Sequence, residues 1–154
     1  MELAFEFMLL GAGLTVLVLG ARRLIKRMPG NRPYKYGLIL AIAATFLTIW
    51  VNGAVGIIGS ENNDANAMYL AIIIVALVGS VVVQFRPAGM VWVTGMNAMG
   101  MIVIAFLALV FDLGVNGPVW PMDVVWVTAF FVCFWAAAAW LFHEAAKHTG
   151  RAEA

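Results

Sequence analysis

The chain reads as an all-α integral membrane bundle of five transmembrane helices, and three observations lead there. Of its 154 residues, 64% are hydrophobic and only 11% charged, where soluble domains carry about 25% charged residues. The mean hydropathy of +0.98 is more than a short chain can hide, because a small domain has too much surface for its volume. The apolar residues also fall into five runs of the length, about 20 residues, that crosses roughly 30 Å of hydrocarbon. The bilayer is therefore the expected solvent. The whole chain, residues 1–154, is expected to form a single membrane domain with no soluble domain beside it.

The first span is predicted at about 3–21. It opens on Glu2 and Glu6 and ends on Arg22 and Arg23, the reverse of a signal peptide's positive start and small-residue cleavage site, so it reads as a retained span. Residues 22–36, RRLIKRMPGNRPYKY, form a basic loop; Pro29-Gly30 and Pro33 forbid a continuous helix through it. The second span is predicted at 37–58, and a short turn, 59–66, leads to the third at 67–85, which Arg86-Pro87 breaks. The fourth runs over 89–111. A loop at 112–123, holding Gly114, Gly117, Pro118 and Pro121, precedes the fifth at 124–142, and a polar tail finishes the chain.

Five spans place the termini on opposite sides, and charge decides which. All nine Lys and Arg fall on one side: Arg22, Arg23, Lys26, Arg27, Arg32, Lys35, Arg86, Lys147 and Arg151. The other side carries six of the eight acids, Glu2, Glu6, Glu61, Asp64, Asp112 and Asp123. Short loops rich in Lys and Arg stay in the cytoplasm, so the N-terminus is predicted outside and the C-terminus cytoplasmic. Interfacial aromatics fit this layout, with Tyr34, Tyr36, Trp92 and Trp140 towards the inner surface and Tyr69, Trp120 and Trp126 towards the outer one. Trp50 and Trp135 lie deeper and are assigned to packing.

Chemistry is sparse. No ionisable side chain occupies the middle third of any span, which removes the groups that proton relays need and any general acid or base within the membrane. The main candidate is the stretch around the second turn. Gly53, Gly56 and Gly59 recur every three residues, followed by Ser60, Glu61, Asn62, Asn63, Asp64 and Asn66, with Asn52 below them inside the span. Read structurally, the glycines admit close helix approach and end the helix, while Asn63 or Asp64 caps the third span. Read functionally, two carboxylates and several amide oxygens make a small polar site for a hard cation or polar ligand, although the spacing is not that of an EF-hand loop.

The remaining candidates read more simply. Asn97 is predicted to hydrogen-bond between helices, to Asn52 or Thr48. Met90, Met96, Met99 and Met101 have thioethers that suit Cu(I), but without paired Cys or His they read as packing. His143 and His148, five apart, fall on different helix faces. Cys133 stands alone, so it makes no internal disulfide and is expected as a small buried hydrophobe. The cations Arg22, Arg23, Lys26, Arg27, Arg32 and Lys35 are placed to meet lipid headgroups, although fixing topology already accounts for them. No cofactor, metal or nucleic-acid partner is expected.

The run from Asn52 to Tyr69, N-G-A-V-G-I-I-G-S-E-N-N-D-A-N-A-M-Y, resembles a family of small, uncharacterised bacterial inner-membrane proteins. These share the signature N-x-A-V-G-I-I-G-S-E-x-N-x-A-N-x-M-Y. The likeness continues through FRPAGM at Phe85–Met90 and AAWLFHEAAK at Ala138–Lys147. It implies a bacterial origin and the inner membrane, and it brings no activity. The expected role is non-catalytic: association through helix packing, with itself or as an accessory subunit among other membrane polypeptides, in the lipid bilayer. Small residues at Gly11–Thr15, Ala76–Ser80 and Ala136–Trp140 suit such contacts. The alternative is a transporter or channel for a small solute or ion, opening at Asn52–Asn66. An enzyme would need Glu61, Asp64 and the two histidines on one side, and the predicted topology separates them.

Overall fold

Helices follow the apolar runs, and the caps and turns between them set their ends. The computed structural model describes residues 19–20, 22–26, 31–115 and 117–152, and the side chains of 150–152 are left aside. Among these residues the fold is all-helical, and four helices are long and apolar enough to cross a membrane. The predicted first span, 3–21, lies outside the described residues apart from Leu19 and Gly20, which are helical.

Helix α1 covers Arg32–Ala54, starting before the predicted Gly37. Pro33 falls in its first turn, where a missing N–H costs nothing, and Asn31 caps it by accepting from the Tyr34 N–H at 3.1 Å. The basic segment expected as a loop is thus helical at 22–26 and again from Arg32. At the other end α1 stops at Ala54 rather than Ile58. Gly56 turns left-handed there, with φ of 70°, and the next N–H groups leave the helix ladder for a side chain described below.

Helix α2 covers Asp64–Val82 and is not uniform. It opens as a tight 3-10 turn at Asp64–Met68, relaxes into α at Tyr69–Ile74, widens further to π at Val75–Gly79, and closes with Ser80–Val82. Gln84 and Phe85, predicted inside the span, instead form a turn with φ of 54° and 55°. Helix α3 covers Pro87–Val110, again with proline in its first turn. Helix α4 covers Met122–Ala152, so the polar tail expected after Phe142 is helical. Its Ala, Glu and Lys residues favour helix, and Lys147 pairs with Glu144 at 2.7 Å, one turn away.

The core is organised by α4, which lies along both α3 and α1. Its buried residues are Val124, Thr128, Phe131, Trp135, Ala138, Phe142 and Ala145, an alternating four-three spacing of the kind that seats one helix against its neighbours. Opposite them α1 offers Gly37, Leu38, Ala41, Ala44 and Thr48. A Cβ on Gly37 would lie 3.3 Å from Leu141 and Phe142, so these helices meet closely there. Tyr34, expected as an interfacial anchor, is buried instead. Its ring stands edge-on to Phe142 at 5.6 Å and its hydroxyl donates to the Phe85 carbonyl at 2.9 Å. Asn31 adds a second tie at this end, from Nδ2 to the Ala145 carbonyl at 3.1 Å.

The outward faces are apolar, with Trp92, Trp126 and Trp140 among the exposed residues. Trp135 packs in the core as expected, but Trp50 is exposed and Tyr69 is fully buried. Cys133 also faces outward rather than inward.

Candidate functional site: an asparagine and glycine knot joining two loops

The polar stretch after α1 forms a closed structure built on two asparagines. Asn66 is buried. Its Oδ1 accepts from the N–H groups of Ile57 at 3.0 Å and Ile58 at 2.9 Å, and its Nδ2 donates to the Ser60 carbonyl at 2.6 Å. One amide therefore satisfies the backbone that α1 leaves open when it ends at Ala54. Ile57 and Ile58 are themselves buried, so the loop is pinned by apolar contact as well. Asn63 caps α2: its Oδ1 accepts from Ala65 N–H at 3.0 Å, and its Nδ2 donates to the carbonyls of Ile58 at 3.0 Å and Leu113 at 2.6 Å. Asn52 donates from Nδ2 to the Asn66 carbonyl at 3.3 Å.

The bond to Leu113 joins this loop to the one between α3 and α4, and glycines let the two backbones touch. Gly59 has φ of 72°, and a Cβ there would come 2.9 Å from the Gly114 carbonyl oxygen. A Cβ on Gly117 would press on the Gly59 backbone, and one on Gly56 would overlap the Ser60 carbonyl. These are positions where only a residue without a side chain fits. Between the loops lies a shallow recess of about 360 Å³, bordered by Ser60, Asn62, Asn63 and Asp64.

This geometry limits what the knot can do. The oxygens of Asn63 and Asn66 already accept backbone N–H donors, so they are poor ligands for a cation. Ser60, Glu61, Asn62 and Asp64 are exposed or partly so, and make no side-chain hydrogen bond among the described residues. No group of three His, Cys, Asp or Glu is placed to hold a metal among the described residues. The arrangement is a latch: it satisfies backbone, caps a helix and binds two loops together.

The predicted bond from Asn97 to Asn52 or Thr48 is not made. Thr48 donates at 2.8 Å to Ala44 in its own helix, and Asn52 turns to Asn66. Asn97 is fully buried in α3, and both its amide atoms lack partners among the described residues. Asn52 Oδ1 and Trp135 Nε1 are buried and unpartnered in the same way. The methionines do not converge, since Met90 and Met101 are buried while Met96 and Met99 face outward. His143 and His148 are exposed on α4. Of the six lipid-headgroup candidates, Arg22, Arg23, Lys26 and Arg32 are exposed and Lys35 is half-buried, while Arg27 lies outside the described residues.

Sequence reasoning missed Asn31 and Tyr34 as ties between elements. A polar residue directly before a proline-started helix is the usual signal for the first; nothing local marks the second. Comparison of the chain with protein-family models, with curated proteins and with solved structures finds no match.

Proposed function

We propose that the chain is a multi-pass protein of a bacterial inner membrane that works by association, as an accessory subunit of a larger membrane complex or as a homo-oligomer. Its N-terminus lies outside and its C-terminus in the cytoplasm, as the charge distribution requires. The observation that carries this reading is the composition of the interior. Among the described residues the buried polar side chains are Thr, Ser and Asn, with no charged group among them. The amides of Asn63 and Asn66 are occupied by their own backbone. What remains for function is the exterior: long apolar helix faces, and in α4 a helix of 31 residues. At 1.5 Å per residue that is about 46 Å, well beyond roughly 30 Å of hydrocarbon. The overhang, with His143, Lys147 and His148 exposed, projects on the cytoplasmic side where a partner can grip it.

Native mass spectrometry of the protein, gently extracted from its own membranes without overexpression, tests this. Discrete complexes with other polypeptides, or a homo-oligomer, are the expected result. A bare monomer would sink the proposal. One observation favours the transport alternative: the fully buried amide of Asn97 and the free Oδ1 of Asn52 are the kind of unmet polar groups that a passing solute or water can engage. Alanine at Asn52 and at Glu61 separates the readings. Loss of a solute flux with assembly intact supports transport, and loss of assembly supports association.

A further inference from the structure

A cavity of about 280 Å³ opens away from the knot, towards the Arg86 end of the bundle. It exists because small residues face each other there, Ala41 on α1 against Ala76 and Ser80 on α2. The α2 wall includes part of the π segment, Val75–Gly79, and π turns are rare and often found at functional sites. Thr45, Ser80 and Thr94 border the space, and each hydroxyl donates to the carbonyl four residues earlier in its own helix. They therefore present only lone pairs to the cavity. Trp135 also lines it; this residue is 1% exposed, and its Nε1 is shielded from the space. The cavity is thus walled almost wholly by apolar groups.

Its rim is cationic. Gly20 borders both this cavity and a second recess lined by Leu19, Arg22, Arg23 and Lys26. Within the helical stretch 22–26, Leu24 faces the cavity while Arg22, Arg23 and Lys26 are exposed beside it. An apolar slot with three positive charges at its edge matches the two parts of one kind of molecule, an acyl chain and an anionic headgroup. We propose that this is a binding site for an anionic glycerophospholipid. One acyl chain enters the cavity, and the phosphate lies against Arg22, Arg23 and Lys26. The proposal rests on the membrane reading above.

The test uses the full chain in phosphatidylcholine nanodiscs, doped with phosphatidylglycerol that carries a photoactivatable acyl chain. The same acyl probe on phosphatidylcholine is the control. Crosslinks from the anionic probe are expected at Ala41, Thr45, Ala76 and Ser80, and excess unlabelled phosphatidylglycerol removes them. Each of R22Q, R23Q and K26Q weakens competition by about fivefold, the effect of one surface charge on an anionic headgroup. Equal labelling of these positions by both probes would mean that bulk acyl chains fill the space, and overturns the proposal. So does labelling confined to outward residues such as Trp92 and Phe106, which would mean that the chain itself closes the cavity. Failure to enter nanodiscs at all would count against the membrane reading instead. The wild-type crosslink map decides the matter even where a variant folds poorly.

Discussion

Replacing Asn66 by alanine removes the acceptor shared by the Ile57 and Ile58 N–H groups and the donor to Ser60. Each buried group left without a partner costs about 1–3 kcal/mol, so N66A is expected to lower stability by about 2–5 kcal/mol. Thermal unfolding of the detergent-purified protein measures it. Alanine at Glu61 or Asp64, both exposed, is expected to change stability by less than about 0.5 kcal/mol. A large loss at either carboxylate would revive the cation site. Asn97 points the other way. Its buried amide lacks partners among the described residues, so N97L is expected to stabilise the isolated protein by about 1–3 kcal/mol. Destabilisation there would mean that the amide is engaged. The polar cluster after the second span was legible in the sequence, but the division of labour within it was not. Asn66 matters more than Glu61 because Gly56 turns two N–H groups towards it, and that depends on a backbone angle that no residue count reveals.

At the scale of the helix, α4 offers a clean contrast between neighbours. Phe131 is 1% exposed and Phe130 48%, although they are adjacent and identical in type. F131A is expected to cost about 3–5 kcal/mol by opening a cavity. F130A, which loses a ring 4.6 Å from that of Phe134, is expected to cost only about 1 kcal/mol, read by the same unfolding assay. Similar losses at both positions would mean that the outward face is packed against something in the purified sample. The positions of the four described helices that are long and apolar enough to span a membrane were legible because apolar runs of this length have few other uses. Their ends were less so. Hydropathy stops at Phe142, but helix formation needs only backbone geometry and good helix formers, and HEAAKH supplies them. It also cannot register that the Asn31 cap and Pro33 together start α1 early, or that Gln84 and Phe85 leave α2 in left-handed conformations. The π segment left no trace in the sequence, since its residues, VALVG, are ordinary span residues.

For the molecule as a whole, the lone cysteine provides a built-in probe. Cys133 is exposed on the fold, yet if the outward faces meet lipid it should resist a water-borne maleimide in intact membranes. In a C133S background, S60C is expected to react with an impermeant maleimide from outside, and H148C only after the membrane is opened. The reverse pattern would invert the proposed orientation, and rapid labelling of Cys133 would place water beside α4. The bond from Asn63 to Leu113 bears on how such an arrangement is reached during biogenesis. It joins two loops that the chain makes at different times, one after α1 and the other after α3. If the helices cross a membrane as proposed, it can close only when both hairpins have been inserted the same way up. A hairpin threaded in the wrong sense would strand its loop on the opposite side of the bilayer, with Asn63 unable to reach its carbonyl and Gly59 facing no second backbone. On the membrane reading proposed above, the latch would distinguish a correctly threaded chain, in which Asn63 reaches the Leu113 carbonyl, from a misthreaded one left with an open polar loop.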